Sequence, residues 1–145
     1  MAAFGAALAG ACPAQQLCVI YLTGELGAGK TTLVRGLLRA MGWQGAVKSP
    51  TYTLVESYAV ADRPVHHLDL YRLSDPEELE FLGLRDLLQA NAIMLVEWPQ
   101  RGRGVLPTAD VTLHIEYADE GRRLTMVAET PTGAVIATGC GSLKK

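Results

Sequence analysis

The octapeptide Gly24-Glu25-Leu26-Gly27-Ala28-Gly29-Lys30-Thr31 stands between a continuous apolar run and an amphipathic segment, and few folds accept that order. The run before it, Leu17-Cys18-Val19-Ile20-Tyr21-Leu22, is rich in β-branched and aromatic residues and reads as a strand covered on both faces. The segment after it, Thr31 to Met41, sets Leu33, Leu37, Leu38 and Met41 at helical spacing, with Gly42 placed as a C-cap. Strand, glycine loop and helix in this order turn backbone N–H groups and a helix N-terminus toward one point, where they cradle phosphate oxygens. Gly24, Gly27 and Gly29 permit the close approach, Lys30 is expected to reach the β- and γ-phosphates, and the Thr31 hydroxyl to meet magnesium. A nucleoside triphosphate is the ligand this pattern implies.

The remainder reads as further α/β structure. Phe4 to Ala11 is Ala-rich and predicts a first helix closed by Pro13. Val47 to Thr51 is a loop, Tyr52 to Ala59 and Val65 to Tyr71 read as strands, and Ala92 to Val96 as a buried strand. Asp75-Pro76-Glu77-Glu78 predicts a helix start, with Asp75 as N-cap and an apolar side running from Leu79 to Leu88. Val111 to Tyr117 and Arg123 to Ala128 alternate like a hairpin around Asp119-Glu120-Gly121, and Val135 to Thr138 suggests a last edge strand. With no internal repeat or long linker, the expectation is one α/β domain over residues 1–145. Its fold class is a P-loop NTPase-like three-layer fold, with a mixed, mostly parallel central sheet whose parallel part comes first and an antiparallel C-terminal hairpin.

Composition narrows the class of partner. A formal charge of -2 supplies no basic face for gripping a nucleic-acid backbone, so any link to RNA is expected to be indirect. The three cysteines, Cys12, Cys18 and Cys140, lack metal-ligand spacing and read as reduced thiols of a cytoplasmic protein, Cys18 in the core. The Ala-rich start lacks the basic segment of a secretion signal, and no apolar run approaches the ~20 residues of a membrane span.

Two acids follow apolar runs at strand ends, as a magnesium–phosphate site requires. Glu97 follows Ile93-Met94-Leu95-Val96, and Asp69 follows Val65-His66-His67-Leu68. Either can hold the metal while the other orients the attacking water, and spacing alone does not divide the roles. Arg72 is a candidate for stabilising charge on the γ-phosphate, with a surface salt bridge as the equal alternative. Ser49 and Thr51 flank Pro50 on a loop placed to sense the γ-phosphate, or to be a simple turn. His66 and His67, adjacent in a strand, face opposite sides and cannot form one metal site. Trp43 and Trp98 read as packing residues, Trp98 adjoining the site.

At this point the residues resemble one family, the TsaE proteins, formerly YjeE, ATPases of bacterial tRNA threonylcarbamoyladenosine synthesis. The likeness rests on Gly24 to Thr32, Ser49-Pro50-Thr51-Tyr52-Thr53-Leu54-Val55-Glu56, His67-Leu68-Asp69-Leu70-Tyr71-Arg72-Leu73, Glu77-Glu78-Leu79 and Leu95-Val96-Glu97-Trp98-Pro99, in that order. It implies ATP on Gly24, Glu25, Leu26, Gly27, Ala28, Gly29, Lys30, Thr31 and Thr32 with Thr51 beside it. It further implies magnesium on Thr31 and Glu97, and hydrolysis that needs Asp69 together with Lys30. The implied partner is the TsaD–TsaB pair, which with TsaC installs threonylcarbamoyl on the adenosine beside the anticodon of tRNAs reading codons that begin with A. tRNA is then met indirectly, and neither a membrane nor a small-molecule acceptor is expected. One departure stands out: family members usually carry a stretch ahead of the Gly5 position, with a threonine near the adenine, which this sequence from Met1 does not supply. Either the start is trimmed or that contact is missing. Preference for adenine therefore follows from the likeness, although the Asn-Lys-x-Asp signature of guanine binders is absent. Two rivals share the loop: a small-molecule kinase, whose lid has only Arg101-Gly102-Arg103 as a candidate, and an ATP-dependent binding module with nearly idle hydrolysis.

Overall fold

The computed structural model describes residues 1–25, 29–119 and 121–141, so Leu26, Gly27, Ala28, Glu120 and the last four residues, 142–145, lie outside the described residues. Six strands, β1 (Cys18–Gly24), β2 (Val55–Val60), β3 (Arg63–Asp69), β4 (Ile93–Glu97), β5 (Val111–Ala118) and β6 (Gly121–Ala128), form one sheet in the order β2-β3-β4-β1-β5-β6. β1 lies between β4 and β5, parallel to both, and β3 continues the parallel set beside β4. β2 and β6 close the edges as antiparallel partners of β3 and β5. The parallel strands thus occupy the centre with an antiparallel edge at each end. The β2–β3 hairpin, turning through Ala61 and Asp62 at positive φ, was not part of the expected order.

Burial explains the placement. Every residue of β4 is buried, because strands covered on both faces can be apolar throughout, whereas β6 is mostly exposed and carries Arg122 and Arg123. Alternate residues of the inner strands feed two cores. Ile20, Leu22 and Leu95 face α1 (Ala2–Ala11), α2 (Lys30–Met41) and α5 (Pro131–Cys140). Val19, Leu68, Met94 and Val96 face Leu79 of α3 (Glu78–Phe81) and Leu84 of α4 (Leu84–Leu87). Helices therefore cover both faces, the three-layer arrangement. Asp110 fixes the start of β5 on β1: its carboxylate accepts from Val19 N at 2.8 Å, and its own N–H donates to Val19 O at 2.8 Å. All three cysteines are free and buried. No helix among the described residues is long and apolar enough to cross a membrane.

Three elements differ from the sequence reading. Val135 to Thr138 belongs to α5, not to an edge strand, because Thr130 caps the helix by accepting from Gly133 N at 3.0 Å and Pro131 starts it. The helix opened by Asp75 is split into α3 and α4 at Gly83, which sits at φ +81, although Asp75 does cap the turn by accepting from Glu77 N at 2.9 Å. β2 begins at Val55 rather than Tyr52. Leu54 takes φ +71, and its N–H closes a turn onto Pro50 O at 2.8 Å, which bends the chain before the strand can start.

Candidate functional site

The carboxyl ends of β1, β3 and β4 and the N-terminus of α2 converge on a cleft of about 250 Å³. Its walls include Lys30, Thr31 and Thr32 from the helix start, Ser49 and Thr51 from the following loop, and the two strand-end acids Asp69 and Glu97. Parallel pairing explains the convergence, since it brings the same ends of neighbouring strands together and sets Asp69 directly opposite Glu97. The backbone conformation at the loop's two flanks calls for glycine. Gly24 has φ +138 with room for no side chain, because a Cβ there would lie 2.1 Å from Ile115 O, and Gly29 has φ +110 at the helix N-cap.

Three charged groups are buried here. Lys30 Nζ donates to Gly24 O at 2.9 Å, lies 3.8 Å from Glu97 Oε1 and stands 5.5 Å above the Trp98 ring. Glu97 Oε2 accepts from His67 Nε2 at 2.6 Å. Asp69 accepts from Tyr71 N at 3.1 Å and, at the long distance of 3.4 Å, from Thr51 Oγ1, which in turn pairs with Ser49 Oγ at 2.8 Å. Burial raises the Asp69 pKa above the ordinary carboxylate value, against the Tyr71 N–H, and the neighbouring Glu97 charge pushes it further up. A proton acceptor with a raised pKa beside a helix N-terminus and a lysine is equipped to orient or deprotonate water near bound phosphate.

The oxygen-only set of Thr31 hydroxyl and Glu97 carboxylate suits a hard cation such as magnesium, and both line the cleft. Among the described residues no group of three or more His, Cys, Asp and Glu side chains could hold a metal by itself, so a cation here would complete its shell with phosphate and water. A larger cleft of about 550 Å³ lies between α1, α5 and the β5–β6 hairpin, against Phe4, Leu124 and Met126. Among the described residues neither an acid nor a hydroxyl lines it, whereas the smaller cleft gathers both.

The family profile described as "Threonylcarbamoyl adenosine biosynthesis protein TsaE" matches residues 1–125. This chain belongs to the TsaE family. It is 52% identical over 122 residues to the tRNA threonylcarbamoyladenosine biosynthesis protein TsaE of Haemophilus influenzae, covering 84% of this chain and 77% of that protein. The protein of the same name from Bacillus subtilis is 37% identical over 76% of this chain and 69% of its own length. Among solved structures, that of YdiB from Bacillus subtilis superposes with a TM-score of 0.76 at 26% identity, over 96% of this chain and 86% of that one.

Within this TsaE family fold, the residues expected from sequence divide clearly. Gly29, Lys30, Thr31, Thr32, Ser49, Thr51, Asp69 and Glu97 meet at the cleft, the Gly24 carbonyl accepts from Lys30 Nζ, and Glu25 is exposed. Leu26, Gly27 and Ala28 are outside the described residues. Arg72 is exposed, its guanidinium lies 4.5 Å from the Tyr52 ring, and it does not form the alternative salt bridge among the described residues. His66 is a satisfied buried residue, bonded to Ser57 Oγ at 2.8 Å and Gln89 Oε1 at 2.9 Å. His67 is the residue the sequence reading missed. Its spacing of two from Asp69 on a strand puts both on one face, which was the available signal.

Proposed function

We propose that this chain binds ATP with magnesium, hydrolyses it, and through that cycle supports the threonylcarbamoylation of tRNA adenosine in the cytoplasm. The observation that carries the reading is the meeting of Lys30, Thr31, Asp69 and Glu97 in one cleft at a helix N-terminus. In it, Lys30 leaves the Gly24 carbonyl to engage the β- and γ-phosphates, while the α2 N-terminus holds them through backbone N–H groups. Thr31 and Glu97 would hold the metal, which would supply charge neutralisation for the phosphates. Asp69 orients the attacking water and takes its proton, its raised pKa matching it to that work. Thr51 reports the state of the site, because its hydroxyl touches Asp69 and its turn is anchored where Asp69 N donates to Leu54 O at 3.0 Å.

The names of the relatives support a role in tRNA threonylcarbamoyladenosine biosynthesis. The resemblance adds the TsaD–TsaB pair as the machine whose turnover the ATPase sustains. The test is steady-state ATP hydrolysis with magnesium, for the chain alone and with purified TsaD–TsaB, against Lys30→Ala. Weak activity alone, raised by the pair and lost in the variant, is the expected result. A rate indifferent to the pair, with a small metabolite phosphorylated instead, overturns it in favour of the kinase.

A further inference from the structure

His67 is fully buried on β3, in the layer that faces α2, paired in register with Leu95 of β4 on one side and with Glu56 of β2 on the other. A polar ring in such a layer is desolvated, and its Nδ1 has no hydrogen-bond partner. The one bond offsetting that cost is the 2.6 Å contact from Nε2 to Glu97 Oε2. Because an ionised carboxylate only accepts, Nε2 is the donor in this contact. The other Glu97 oxygen, Oε1, points to the cleft side, 3.8 Å from Lys30 Nζ.

The geometry points to His67 as a positioning residue that fixes the rotation of the Glu97 carboxylate, holding Oε2 back in the sheet so that Oε1 alone faces a divalent cation. This inference rests on the metal–nucleotide reading above. Without the imidazole the carboxylate loses the bond that holds Oε2, and the oxygen meant for metal is no longer fixed toward the cleft. Hydrogen-bond partners of metal-ligating groups typically account for about a 10–100-fold effect on metal affinity.

The experiment measures binding of a fluorescent ADP analogue during a magnesium titration and again in EDTA, for the wild type and three variants, with thermal unfolding as the check on folding. His67→Leu packs the layer without a donor, and His67→Asn keeps a polar group too short to reach Glu97. His67→Gln retains a donor of longer reach. The expected result is that Leu and Asn raise the magnesium concentration for half-maximal tightening about 10–100-fold, leave the affinity in EDTA unchanged, and that Gln restores most of the loss. A folded Leu or Asn variant with the wild-type magnesium requirement overturns the role of His67 and leaves the metal reading intact. Wild-type binding that is itself indifferent to magnesium overturns both. Equal weakening with and without magnesium reduces His67 to a packing residue and likewise overturns the proposal.

Discussion

Asp69 concentrates the tension between stability and chemistry in a single side chain. Burial raises its pKa, so at neutral pH the fold holds an ionised carboxylate that it would hold more cheaply protonated. The penalty is absent below the ordinary value of 3.8, where folded and unfolded chains are both protonated, and it grows as the pH rises through the raised value. Asp69→Asn should therefore unfold at a higher temperature than the wild type at pH 8, and thermal scans should show that advantage vanish on acidification. The same substitution removes the acceptor for the water proton. Hydrolysis should fall by about 10²–10⁴-fold while ATP affinity is kept, a split that single-turnover and binding measurements resolve. A change in affinity alone would instead favour the binding module. The pairing of Asp69 with Glu97 was legible as two acids after apolar runs, but their register was not, because strand order is a property of the folded sheet. His67 was illegible as a partner of Glu97 for the same reason, since the two lie 30 positions apart.

At the scale of elements, the central strands and the helix after the glycine loop were legible, whereas caps and turns that act within a few residues were misread at Pro50–Leu54, Gly83 and Thr130. The strand before the glycine loop and the helix after it stand where the sequence put them. The Val135 to Thr138 segment is rich in β-branched residues and suggested an edge strand, yet the cap at Thr130 and Pro131 starts a helix there. Thr130 Oγ1 also donates to Asp110 Oδ1 at 2.7 Å, so Thr130→Ala loses both the cap and the tie to β5. About 1–2 kcal/mol of stability should be lost, measurable as a lower urea midpoint. The α1–α2 contact is tighter still. A Cβ on Gly5 would lie 2.1 Å from Leu33 O, and one on Gly36 would lie 2.3 Å from Ala2 O, in each case against backbone that cannot rotate aside. Gly5→Ala should cost about 1–3 kcal/mol by the same assay, since the helices must separate. A variant as stable as the wild type would mean that this crossing is looser than described.

For the molecule as a whole, the decisive fact is that the cleft is built from elements that also carry the core. Glu97 ends the buried strand β4, Lys30 begins α2, and Leu33 and Leu37 of that helix pack the larger core. A ligand seated there contacts the native arrangement and nothing in the unfolded chain, so its binding energy adds to the stability of the entire sheet. At about 100 times its Kd, such a ligand contributes about 2.7 kcal/mol, which for a chain of this size corresponds to a rise of about 5–10 °C in Tm. ADP with magnesium should produce that rise, EDTA should reduce it, and Lys30→Ala should abolish it while leaving the unliganded Tm near that of the wild type. The last point follows from the contacts among the described residues, because Lys30 is held by one carbonyl, the face of the Trp98 ring and a 3.8 Å approach to Glu97, which keeps its bond to His67 when the lysine is gone. A collapse of the unliganded Tm in Lys30→Ala would show instead that the lysine balances the buried carboxylates as a structural cation, and the site's electrostatics would then have to be rebuilt around that role.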